Sequence, residues 1–166
     1  DDLLADTAVF HKGVQWALRW DTKLTRSDIG LVTKALARGA QRLEALAEHR
    51  ASWTTRKGKV VRGFVSAVDG STQPYGVVVP QSYDGNKPMR LDVVLHGSTK
   101  PLGLSELRFI DRFEKVGGPS PSLSEQPFIE LHPLGRVENC YRWAGETDVF
   151  EAIEAVCRRY NIDRDR

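Results

Sequence analysis

Cysteine is scarce in this sequence. Its 166 residues include two, Cys140 and Cys157, and one methionine. The two cysteines lack the spacing of metal ligands and read as free thiols, so the redox compartment stays open. Neither a metal nor a cofactor is expected. No apolar run approaches the roughly 20 residues that cross a bilayer, which argues against a membrane partner. An excess of charge of one sign is also missing. Lysine and arginine number 24 against 22 acidic residues, a net charge of +2. The basic residues are scattered rather than clustered, so nucleic acid is not indicated as a partner. The chain starts at Asp1 without an initiating methionine. No signal peptide is visible, the localisation stays open, and the chain reads as a fragment. What it does have is 40% hydrophobic and 28% charged residues. That balance supports a folded core and argues against disorder of the whole.

The first 50 residues read as two amphipathic helices. Phe10, Val14, Ala17 and Leu18 recur at helical spacing over residues 3–20, with Val9, Gly13, Trp16 and Trp20 beside them. Trp16 and Trp20 are expected to pack in the core or between domains. Thr25 followed by Asp28 has the pattern of a helix cap. The second helix then runs to about residue 48, with Ile29, Val32, Leu36, Ala40, Leu43 and Leu46/Ala47 as its apolar stripe. A short break between helices predicts an antiparallel hairpin. Residues 51–58 read as a linker, which divides the chain into a helical extension, 1–52, and a second domain, 53–166.

The second part alternates strands and helices. Val60, Val61, Phe64, Val65 and Val68 favour a strand, Asp69-Gly70 a turn, and residues 73–79 the return strand of a hairpin. Residues 91–95 form a short branched run bounded by Pro88 and Gly97. That pattern predicts a central strand buried on both faces. Ser105 caps a helix to about residue 114. Residues 128–131 make another strand, ending at His132-Pro133. Thr147 or Asp148 caps a last helix through Tyr160, with Val149, Ile153, Val156 and Cys157 facing inward. The expected class is α/β: a helical hairpin, then an antiparallel hairpin leading into parallel strands with covering helices.

Five segments, in this order, carry a resemblance. They are Gln73-Pro74-Tyr75-Gly76-Val77-Val78-Val79-Pro80, Leu91-Asp92-Val93-Val94-Leu95-His96-Gly97, His132-Pro133-Leu134-Gly135-Arg136, Gly145-Glu146-Thr147-Asp148-Val149 and Tyr160-Asn161-Ile162-Asp163-Arg164-Asp165-Arg166. Residues 53–166 resemble the N-terminal half of an α/β-hydrolase, of the kind found in bacterial prolyl-oligopeptidase-like serine hydrolases and their esterase relatives. The resemblance implies that residues 162–166 lead into the strand that ends at the nucleophile elbow, G-x-S-x-G. No G-x-S-x-G occurs in the sequence. The acid and histidine of a triad follow that serine in chain order in this fold. The chain as given is therefore expected to lack hydrolytic activity and to leave an exposed, aggregation-prone sheet edge.

Gly97 and the Ser98 amide are the candidate oxyanion donors, because a bare N–H at a strand's tip stabilises a developing negative charge. His96 is expected to orient that loop by a hydrogen bond rather than to act as the base. Arg136, Asn139, Tyr141 and Trp143 follow a strand's carboxyl end, where ligands bind in open α/β sheets. They are candidate substrate-lining residues, and His132 belongs to the same region. Glu146 and Asp148 are read as acidic residues complementing a helix dipole. Ser66, Ser71 and Ser82 are not nucleophile candidates, and Gly117-Gly118 is not a phosphate cradle. The implied substrate is a small-molecule ester or peptide, with esters favoured. The competing expectation is a non-catalytic α/β interaction module that uses its helical hairpin.

Overall fold

The computed structural model describes residues 2–97, 103–114, 126–137 and 141–165. Helix α1 spans Asp2–Trp20 and α2 Arg26–Ala47. A capping box starts α2: Thr25 Oγ1 accepts from the Asp28 amide, and Asp28 Oδ2 accepts from the Thr25 amide at 3.0 Å. Both orphan donors of that turn are thereby satisfied. The pair is antiparallel, since Phe10 lies against Gly39 and the Asp6 carbonyl accepts from Arg42.

Strands β1 (Gly58–Val65) and β2 (Thr72–Val79) form the expected antiparallel hairpin. After β3 (Arg90–Val93), helix α3 (Ser105–Glu114) crosses to β4 (Phe128–Pro133), and α4 (Ala144–Arg159) follows. The sheet order is β1-β2-β4-β3, with β4 antiparallel to β2 and parallel to β3. The chain is thus of mixed α/β class.

Alternation along the strands sends Val61 and Val78 to one face and Val60, Val77, Ile129 and Leu131 to the other. Helices α1, α2 and α3 cover the first face. Helix α4 covers the second through Ala152, Ala155 and Val156. Close approach of α1 to β1 depends on Gly63. A Cβ there would lie 2.5 Å from the Ala5 carbonyl oxygen, so no larger residue fits without moving a backbone.

Several expectations need correction. The 91–95 strand is not central: β3 is the edge of the described sheet, and Val93, Val94 and Leu95 are exposed. Among the described strands its one neighbour is β4, and the other side carries a single bridge, from Met89 to Ile162. Trp16 and Trp20 are not core residues. They stack on each other 5.8 Å apart and stay exposed, because Val9, Phe10, Gly13, Val14 and Ala17 already fill the inward face. The apolar stripe of α2 is split: Val32 and Ala35 point inward, and Ile29, Leu36 and Leu43 point outward. The 51–58 segment is a packed turn, since Trp53 is buried and its indole N–H donates to Asp6 Oδ2 at 2.9 Å. Helix α4 begins at Ala144, ahead of Thr147, and turns Asp148, Ala152 and Ala155 inward where Val149 and Cys157 were expected.

Candidate functional site

The connection leaving β3 leads to α3 on one face of the sheet, and the connection leaving the adjacent parallel β4 leads to α4 on the other. Two neighbouring strands whose connections part in this way open a crevice outside their carboxyl ends, the usual ligand position in open α/β sheets. The described residues at that crevice are His96 and Gly97 after β3, and Leu134 to Val137 with Tyr141 after β4.

Gly97 is exposed, and a Cβ built on it would meet no atom within 4 Å, so its backbone faces open space. His96 fastens the tip. Its Nε2 lies 2.8 Å from the Leu134 carbonyl oxygen and its Nδ1 2.7 Å from that of Gly97. Its backbone amide donates to the Tyr141 hydroxyl at 2.8 Å. Burial pushes the Tyr141 phenol above its ordinary pKa, partly offset by that amide, so the hydroxyl stays neutral and able to accept. The two strand tips are therefore tied together at one imidazole and one phenol.

The β4–α4 connection is strained. Arg136, Val137, Tyr141 and Trp143 all have φ between 51° and 56°. A positive φ is uncommon outside glycine and a marked outlier for a branched residue such as Val137. Strain of this kind, about 1–3 kcal/mol per residue, gathers at functional sites and persists only where surrounding contacts enforce it. Arg136 anchors its own end of this connection. Five hydrogen bonds join its guanidinium to Asp69, Ser66 and Asp148, at 2.6 to 3.3 Å. Arg136 raises no open claim on an anion, because its Nε, Nη1 and Nη2 are all engaged. The same bonds hold the Asp69 carboxyl well below the usual carboxylate range, Arg136 contributing most and Ser71 next.

Beside this crevice lies a cleft of about 840 Å³. One wall is α1, with Lys12, Trp16 and Trp20; the other includes Gln73, Glu106 and Leu134. Lys12 Nζ donates to Glu106 Oε2 at 2.9 Å and Gln73 Oε1 at 3.3 Å. Burial pushes the Glu106 carboxyl up, and Lys12 opposes it. Glu106 Oε1 is buried without a hydrogen-bond partner. Leu134 joins the two features, since it lines the cleft and its carbonyl holds His96.

Of the sequence candidates, the structure brings Gly97, His96 and Tyr141 together. Arg136 lines the cleft but is committed to Asp69 and Asp148. Trp143 is 77% exposed and stands outside the cleft lining. Ser98 and Asn139 lie outside the described residues. His132 sits within β4, its ring 4.9 Å from Phe113 and its Nε2 3.0 Å from Glu130. Asp148 does more than complement a helix dipole, being buried against Arg136. Lys12 and Glu106 were not singled out from sequence. A signal existed: Lys12, Trp16 and Trp20 recur every fourth residue, a second face of α1 that is polar and aromatic.

No family model, no curated protein and no solved structure matches the chain. Among the described residues, no group of three or more His, Cys, Asp or Glu side chains is placed to hold a metal. No described helix is long and apolar enough to cross a membrane.

Proposed function

We propose that the chain is the oxyanion-bearing part of a serine hydrolase that cleaves carboxylic esters or peptides by acyl transfer. The observation that carries this reading is the position of Gly97. It is exposed at the carboxyl end of a parallel strand, where the two adjacent connections part, and its tip is braced by His96 and Tyr141. In acyl transfer a serine oxygen adds to the carbonyl carbon, the carbonyl oxygen takes up the negative charge, and the leaving alkoxide or amine departs with a proton from the general acid. The amide following Gly97, that of Ser98, would donate to the oxyanion; one such donor is worth about 10²–10³ in kcat. His96 positions this arm, since both ring nitrogens face backbone carbonyls. The cleft beside it would receive the substrate's bulk against Trp16 and Trp20.

A second observation supports the same reading. Met89 bridges to Ile162 in parallel, on the side of β3 away from β4, with the Met89 amide donating to Asn161 O and the Asp163 amide to Met89 O. A strand continuing from Ile162 would make β3 interior and bring its own carboxyl end beside Gly97, where the reading requires the nucleophile. The test is fluorophosphonate labelling of the full-length protein. A covalent adduct on a serine downstream of Arg166 supports the reading. A folded, unlabelled full-length protein overturns it.

The alternative is a non-catalytic α/β interaction module. The outward apolar row of α2 favours it.

A further inference from the structure

Helix α2 carries two apolar rows, and only one has a partner among the described residues. Val32 and Ala35 pack inward with Arg42. Ile29, Thr33, Leu36, Ala40, Leu43 and Ala47 are all exposed. Their separations alternate between four and three residues, the repeat of a coiled-coil seam. The seam has an internal order. Ile29, Leu36 and Leu43 are large and share one heptad position; Thr33, Ala40 and Ala47 are small and share the other. A parallel pair of such helices would set large on large and small on small, giving alternating crowded and empty layers. An antiparallel pair sets Ile29 against Ala47, Thr33 against Leu43 and Leu36 against Ala40, so every layer holds one large and one small residue.

We infer that this face binds the same face of a second copy of the chain, as an antiparallel two-fold helix pair centred between Leu36 and Ala40. Such a contact is isologous, the commonest kind in homodimers. Charge agrees with the direction. Lys23 and Arg26 lie at the N-terminal end of α2 and Glu44 and Glu48 at the other, with Glu48 also paired to Arg50. Antiparallel docking brings the basic end of each helix to the acidic end of its copy and opposes the two helix dipoles. Ala37 and Gly30 flank the row, both exposed, and a Cβ on Gly30 would meet nothing within 4 Å, so the described residues leave room there for a second helix. The 22 residues of α2 span about 33 Å. A single helix pair of that length buries an area near the lower limit for stable interfaces, about 1,200 Å². The dimer should therefore dissociate in the micromolar range. The proposal goes beyond the hydrolase reading and names the partner that the interaction-module reading leaves open. Sedimentation tests it and serine labelling tests the hydrolase, so the two can fail separately.

The experiment is sedimentation velocity of the chain from about 1 to 500 µM, with Leu36→Glu alongside. Leu36 is exposed, so the variant should keep the wild-type melting curve while its dimerisation weakens at least about tenfold. Direction is read by mixing Ile29→Cys and Ala47→Cys chains, each in a Cys140→Ser, Cys157→Ser background, under mild oxidation. Excess of the mixed 29–47 disulfide supports the antiparallel pair. Wild-type monomer throughout the range overturns the proposal. So does a dimer indifferent to Leu36→Glu, which would place the contact elsewhere, for instance on the β3 edge, and so does a preference for 29–29 crosslinks.

Discussion

Asp6 is completely buried, and groups from three other segments reach its carboxylate. Oδ1 accepts from the Gly63 amide at 2.8 Å and from Arg159 at 2.9 Å. Oδ2 accepts from Trp53, and Arg62 Nε sits 3.0 Å away as an ion pair without hydrogen-bond alignment. Removing one partner of a buried pair leaves an uncompensated charge. Asp6→Asn should therefore cost about 3–5 kcal/mol in urea unfolding, because buried Arg62 loses its counterion and Arg159 is left with Asp2. His132 sets a different residue-scale expectation. Burial against Phe113 lowers its pKa below 6.5, and Glu130 offsets only part of that. The unfolded chain then takes up this proton at higher pH than the folded one. The stability it contributes is present above pH 6.5 and lost as pH falls through the folded value. A proton-NMR titration should place His132 below 6.5. The melting temperature of His132→Gln should fall less between pH 7 and 5.5 than that of the wild type.

Among the elements, the β3 and β4 tips are coupled by few contacts. Tyr141 accepts from the His96 amide and donates weakly to Pro133 O at 3.4 Å. Tyr141→Phe keeps the ring against His96 and removes the acceptor. It should cost about 1 kcal/mol and speed hydrogen exchange at the His96 amide, with little change elsewhere. If exchange at His96 is unaltered, the phenol does not hold the tip. The two walls of the cleft are joined differently, by Lys12 with Glu106 and Gln73. Helix α1 thus contributes both to the core and to the cleft, from adjoining faces.

At the scale of the whole molecule, the helical segment 1–52 and the sheet share one core: Val9, Phe10 and Val14 of α1 pack with Val61, Val78, Leu107 and Ile110. The helices and β1–β2 should melt together. The opposite side of the sheet is less finished. At the end of β3 and just after it, Val93, Val94 and Leu95 are 38–53% exposed. An apolar strand edge with free backbone groups templates pairing between chains. Val94→Lys should lower light scattering on storage at high concentration without changing the melting temperature by more than a degree or two. Unchanged scattering would mean that the edge is not the adhesive surface.

Short-range features were legible from the residues alone. The Thr25–Asp28 cap, the Asp69-Gly70 turn and the hydrophobic periods placed both N-terminal helices, the hairpin and the α/β class, because a cap, a turn and a helical face each depend on neighbours within a few positions. Gly97 followed a short branched run, and that too was visible. Tertiary structure decided the rest. It put β4 between β2 and β3 and so left β3 at the edge. It turned Ile29, Leu36 and Leu43 outward while Val32 and Ala35 turned in, since α2 has apolar residues on two sides and its packing on α1 and α3 selects between them. It also joined Arg136 to Asp69 and Asp148, and Asp6 to Arg62 and Arg159, across distances in sequence over which periodicity is silent. Which face meets which partner is a property of the packed whole, because burial is shared between segments that carry no local record of each other.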